Sequence, residues 1–150
     1  MKRLFVVRHG DNSHNRLTQS GIQQMYLLGE CIREIMGSWN SAIICSPALW
    51  TVESSLVLAK SLHLSLPIIE TNNYLTRGSE IGEECLNIIE DFEKNHKENG
   101  LIIVTHGELA DEIPKYMAKR EAISYNPDLG IERGKATYTD LEKKIIRVIP

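Results

Sequence analysis

Cysteine is scarce and unpaired in this chain of 150 residues, where Cys31, Cys45 and Cys85 form an odd set without a repeated spacing. That excludes a disulfide framework as the source of stability and leaves no paired-cysteine metal motif. Each lies in an apolar helix-like or strand-like stretch, so reduced, buried thiols are expected. A cationic excess is also missing. Against 20 Asp and Glu stand 17 Lys and Arg, a formal net charge of -3, so nothing attracts nucleic acid or an anionic membrane in general. Any anion must be held by a local pocket. No run approaches the roughly 20 apolar residues of a membrane span. Only Leu4-Phe5-Val6-Val7 separate the basic start from Arg8, too few for a secretory h-region. The expected location is the cytoplasm. Repeats, low-complexity tracts and linkers are absent, so residues 1–150 are expected to form one domain.

What is present is a set of short apolar runs that stop abruptly. Leu4-Phe5-Val6-Val7 ends in Arg8-His9-Gly10, and Leu101-Ile102-Ile103-Val104-Thr105 ends in His106-Gly107. Runs of this length read as buried strands. Ala42-Ile43-Ile44-Cys45, followed by Ser46-Pro47, reads as a third, with Ser46 as an N-cap and Pro47 at the first helical position. Leu66-Pro67-Ile68-Ile69 reads as an edge strand because its proline would break a central ladder.

Between these runs, apolar residues recur at helical spacing. Ile22, Met25, Leu28, Ile32, Ile35 and Met36 predict one helix, with Ser20 and Gln23 as a capping box. Leu49, Val52, Leu56 and Ala59 predict the inward face of another, from about Pro47 to Lys60. Ile81, Cys85, Ile88, Ile89 and Phe92 predict a third, ending near Asn95. A helix after Gly107 is expected to be kinked or delayed by Pro114. Lys135–Thr139 and Lys144–Ile149 predict two strands joined by a turn. The alternation predicts an α/β domain with three layers, α/β/α, and a mostly parallel sheet flanked by helices. In such sheets ligands gather beyond the carboxyl ends of the strands, where the residues after Val7, Cys45 and Thr105 converge.

The chemistry at that edge favours phosphoryl groups. A neutral imidazole is a good nucleophile toward phosphorus, and a neighbouring guanidinium offers a planar fork to two phosphoryl oxygens. His106 supplies a second imidazole and Asn15 an amide donor for charge that develops in transfer. Other chemistries fare worse. No Gly-x-Ser-x-Gly elbow supports a serine hydrolase built on Ser46 and His106, and no His-Glu-x-x-His supports zinc on His9, His14 and His106. His63 and His96 have no supporting neighbours.

Arg8-His9-Gly10 after a strand, Asn15, Leu17-Thr18 before Gly21, Ser46-Pro47 after the second strand and Thr105-His106-Gly107 resemble, in order and over nearly the whole chain, the histidine phosphatase superfamily, with its phosphoglycerate-mutase-like fold. Within it the short chain is most similar to the small bacterial phosphohistidine phosphatases. The resemblance implies a phosphatase acting through a phosphohistidine intermediate on a phosphohistidine protein or a small phosphomonoester. By it His9 is the residue phosphorylated, Arg8 and His106 bind the phosphoryl group, and Asn15 assists. No metal and no cofactor are implied.

Two departures stand beside the match. Where the family places a second phosphate-binding arginine, three residues after the proline, this chain has Trp50. Arg77 is the candidate substitute, and the Trp50 indole is a candidate wall of the substrate pocket. The family's acidic residue is also displaced, since Arg77 occupies the matching position after Leu75. Asp11, Glu80 and Glu108 are the candidate general acids. A different outcome is a protein of the same fold that binds a phosphorylated ligand or partner without efficient turnover.

Overall fold

The computed structural model describes residues 1–64, 69–76, 83–126 and 130–150, without the side chains of residues 83–85. In chain order the elements are β1 (Arg3–Arg8), β2 (Asn12–Ser13), β3 (Arg16–Leu17), α1 (Gln19–Met36), β4 (Ser41–Cys45), α2 (Leu49–Ser61) and β5 (Ile69–Thr71). A 3-10 turn (Asn73–Leu75), α3 (Glu83–Asn95), β6 (Gly100–Thr105), α4 (Gly107–Glu121), β7 (Ala136–Asp140) and β8 (Ile145–Ile149) follow.

The main sheet has the order β5-β4-β6-β1-β7-β8. β1, β4, β5 and β6 run parallel, and β7 pairs antiparallel with β1 and with β8. Every residue of β4 and β6 is buried. Strands covered on both faces need apolar residues at successive positions, which is why they read as continuous runs. Alternation then divides the core in two. Leu4, Val6, Ile44, Leu101 and Ile103 pack with Ile89 and Phe92 of α3 and Ile113 and Met117 of α4. Phe5, Val7, Ile43, Ile102 and Val104 pack with Met25, Leu28 and Ile32 of α1 and Leu58 of α2. These are the expected three layers.

Local expectations fail where hydrogen bonding or close packing overrides hydrophobic spacing. The cap of α1 is Thr18, whose hydroxyl accepts from Gly21 N, and not Ser20. α2 begins at Leu49 after an Ala48 cap without a side-chain bond, so Ser46 is not its N-cap. Leu49 and Leu56 are 46% and 55% exposed, and the buried face carries Thr51, Ser54, Ser55, Leu58, Ala59 and Ser61 instead. Small side chains suit the close approach of the two helices, with Ser61 against Gly29. Their hydroxyls donate to backbone carbonyls: Thr51 to Ser46 O at 2.7 Å, Ser55 to Thr51 O at 2.8 Å and Ser61 to Tyr26 O at 2.7 Å. Buried hydroxyls so paired cost little.

Pro114 neither delays nor ends α4, which starts directly at Gly107. The edge strand is Ile69–Thr71; residues 66–68, and with them most of the expected strand, lie outside the described residues, as do Ile81 and the Cys85 side chain. Cys31 and Cys45 are free thiols, half-buried and buried. No helix among the described residues is long and apolar enough to cross a membrane.

Candidate active site

At the carboxyl edge of the sheet, β1, β4 and β6 end side by side, and a cavity of about 340 Å³ opens above them. Arg8, His9, Trp50, His106 and Glu108 line it, so residues from three distant junctions meet there as the strand ends predict. The two imidazole centroids are 5.3 Å apart. The Trp50 indole meets both edge-on, 6.1 Å from His9 and 5.8 Å from His106.

His9 is buried, and its Nδ1 lies 2.8 Å from the carbonyl of Gly10. A carbonyl can only accept, so Nδ1 carries the proton and the lone pair resides on Nε2. Burial lowers its pKa to about 4, and the nearby His106, Arg133 and Arg8 act in the same direction. Above pH 5 His9 is therefore neutral and nucleophilic at Nε2. The turn that carries it is tied to α2, since Gly10 N donates to Ser54 Oγ at 3.2 Å.

His106 ends β6 and occupies the N-cap position of α4 without a side-chain cap. Its Nε2 is 3.0 Å from the buried hydroxyl of Ser46, the residue that follows β4. The N-terminus of α4 thus faces the cavity at Gly107 and Glu108, where backbone N–H groups and the helix dipole favour an anion. Arg8 donates from Nη1 to the carbonyl of Ile131 at 2.9 Å, and its guanidinium lies across Gly107. A Cβ at residue 107 would come within 2.9 Å of Arg8 Cζ, so this close approach requires glycine. Arg8 Nε and Trp50 Nε1 are buried donors without a partner among the described residues. Two such donors in residues that line one cavity fit an acceptor-rich ligand such as a phosphoryl group.

The structure separates the other expected residues. Asn15 is exposed at the turn of the β2–β3 ribbon, with φ 62°, and is not among the residues lining the cavity. Asn12, from the first strand of that ribbon, takes the place near it. The ribbon is fixed to α2 by Glu53, which pairs with Arg16 and accepts from Leu17 N at 2.7 Å. Of the candidate acids among the described residues, Glu108 lines the cavity and Asp11 does not. Asp11 accepts from Gln24 Nε2 at 2.9 Å and faces Arg133 at 4.0 Å. Glu80 and Arg77 lie outside the described residues. His14 sits at the exposed ribbon turn beside Ser13; among the described residues no three His, Cys, Asp or Glu side chains converge as a metal site would need.

Sequence reasoning missed Asp111 and Arg133, both of which line the cavity. Asp111 accepts from Ile131 N at 2.7 Å, which fixes the segment that Arg8 also holds. Neither residue lies near an apolar strand end, so no motif marked them.

No family model and no curated protein matches this chain. Solved structures do. A tungstate complex of the protein histidine phosphatase SixA superposes with a TM-score of 0.71 at 16% identity, covering 99% of this chain and 94% of that one. A mycobacterial glucosyl-3-phosphoglycerate phosphatase gives 0.67 at 12% identity, over 99% and 97%. A phosphoglycerate mutase from Plasmodium falciparum gives 0.59 at 18% identity, over 99% and 89%. The fold is therefore that of the histidine phosphatase superfamily.

Proposed function

We propose, for a chain with the histidine phosphatase fold, that it is a phosphatase in which His9 Nε2 attacks a phosphoryl group held at the carboxyl edge of the sheet. The observation that carries this reading is the neutral, Nδ1-protonated His9, buried beside His106, Arg8 and the start of α4. In the first step a bond forms between Nε2 and phosphorus as the bond from phosphorus to the leaving group breaks. Water then attacks phosphorus, the P–N bond breaks with its electron pair returning to Nε2, and inorganic phosphate leaves. Arg8, His106 and the α4 N-terminus stabilise the oxygens that gain charge in both steps.

In this reading Glu108, which lines the cavity, protonates a departing alkoxide and takes a proton from the attacking water. The substrate class is a phosphohistidine or a small phosphomonoester. Trp50 supports a second reading. With no arginine at that position, the same pocket would bind a phosphorylated ligand or partner and turn it over poorly.

Hydrolysis of para-nitrophenyl phosphate and of a phosphohistidine peptide by the wild type and His9→Ala separates the two. Turnover that disappears in His9→Ala is expected. Equal rates in both proteins would remove His9 as nucleophile, and phosphopeptide binding without turnover would establish the second reading. Glu108→Gln should slow hydrolysis of an alkyl phosphate by about 10²-fold and para-nitrophenyl phosphate far less, because a good leaving group needs no proton.

A further inference from the structure

We infer that Arg133 supplies the second guanidinium for the transferring phosphoryl group, from the turn before β7 and not from the start of α2, where Trp50 stands. This rests on the phosphatase reading above and assigns a ligand contact to a residue that no strand-end motif marks.

The turn is built onto the catalytic strand. Lys135 N donates to Glu132 O at 3.2 Å and closes the turn, while Arg8 N donates to Lys135 O at 3.0 Å. Gly134 N is shared between the carbonyls of Arg8, at 3.1 Å, and His9, at 3.0 Å. The residue next to Arg133 is therefore bonded to the backbone of the two residues that form the centre of the site. Gly134 has φ +71°, and a Cβ there would lie 2.6 Å from Gln24 Cβ, so both backbone and packing hold the position as glycine. On the upstream side Ile131 is held by Asp111 through its N–H and by Arg8 through its carbonyl. Arg133 is thus carried on a short segment fixed at both ends to Arg8.

Its side chain lines the cavity together with Arg8, His9 and His106. It is 45% exposed, and its ion pair with Asp11 spans 4.0 Å, longer than a hydrogen bond. The Asp11 carboxylate is held in turn by Gln24, which donates from Nε2 at 2.9 Å and accepts from Asp11 N at 2.9 Å. A guanidinium so held has donors to give to a ligand that offers more negative charge than one carboxylate. Its charge also contributes to keeping His9 unprotonated. An arginine arriving from this side gives the phosphoryl group two forks without one at position 50, and leaves the indole to pack against both imidazoles.

The test is the affinity for inorganic phosphate and for tungstate, measured by calorimetry on the wild type, Arg133→Ala and Lys135→Ala. Lys135 is on the same turn, pairs with Glu132 at 2.7 Å and does not line the cavity. Arg133→Ala should weaken both ligands by about ten-fold or more, the loss of a charge-assisted contact, with Lys135→Ala unchanged. The melting temperature should hold, because the turn's hydrogen bonds are made by the backbone. Unchanged affinity in Arg133→Ala, or equal losses in both variants, would overturn the assignment and leave the phosphatase reading to the His9→Ala assay. A wild type that neither binds phosphate or tungstate nor shows His9-dependent turnover would overturn both.

Discussion

At the end of β1, His9 gives its Nδ1 proton to the carbonyl of Gly10, the next residue; at the end of β6, His106 turns Nε2 toward Ser46, which reaches it from the end of β4. Both follow a buried strand and precede a glycine, yet the partners give the rings different chemistry. A carbonyl only accepts, so the tautomer of His9 is set and one nitrogen keeps its lone pair. A hydroxyl both donates and accepts, so Ser46 can serve either tautomer of His106. In the reaction proposed above, one ring attacks and the other adapts as charge builds on the phosphoryl oxygens. The same dipeptide at two strand ends thus meets two kinds of partner.

The largest test of this contrast is the pair of alanine variants. His9→Ala should lower kcat by at least about 10³-fold and abolish a trapped phosphoenzyme, whereas His106→Ala should cost about 10²-fold and still form it. Equal losses, with a phosphoenzyme in both or in neither, would erase the distinction. Gly107→Ala comes next. The added Cβ must push the Arg8 guanidinium aside, and kcat/KM should fall by about ten-fold or more, with little change in melting temperature.

The third effect is in pH. The His9 pKa is lowered to about 4, mainly by burial, so an NMR titration should find its ring neutral down to about that value. Between its ordinary 6.5 and about 4 the unfolded chain takes up a proton here that the folded chain does not. Stability from this residue is therefore full above pH 6.5, falls as pH falls toward 4, and changes no further below. Urea unfolding at pH 7 and pH 4.5 should show the wild type losing about 2 kcal/mol more than His9→Gln. Ser46→Ala should have a smaller effect, about five-fold in kcat, since it removes one hydrogen bond from His106. Smallest of all, Trp50→Arg should change phosphate affinity by less than about three-fold while Arg133 is present, there being no missing fork to replace; a large gain would restore position 50 to the centre of the contrast.

The strand ends were legible because a strand buried on both faces leaves a continuous apolar run, and a run that stops at a polar residue marks the edge where ligands bind. Arg8, His9 and His106 were named in that way, Trp50 and Glu108 as departures from the family pattern, and all five line one cavity. Asn15, named by the resemblance, stands at the exposed turn of the β2–β3 ribbon while Asn12 lines the cavity, and the two-residue strands of that ribbon are too short to leave a period in the sequence. The inner face of α2 was hidden for a different reason. Its Ser and Thr hydroxyls are satisfied by backbone carbonyls, so residues that look polar are buried while Leu49 and Leu56 face solvent. Arg133 left no trace either. The hydrogen bond from Arg8 to the segment that carries it spans 123 positions of sequence, and no local pattern encodes such a pairing.

What the sequence by itself determined is local: the buried runs, their polar ends, the helical periods of α1 and α3, and the presence of two histidines and an arginine at strand termini. Tertiary structure decided which of these residues share a cavity, and that Asp111 and Arg133, from a later helix turn and a distant loop, line it with them. It also decided that His9 is neutral. Apolar periodicity, like the Nδ1 bond of His9 to the next residue, depends on close neighbours in sequence, but desolvation depends on whatever packs against a group, and around His9 that includes Trp50, His106 and Arg133.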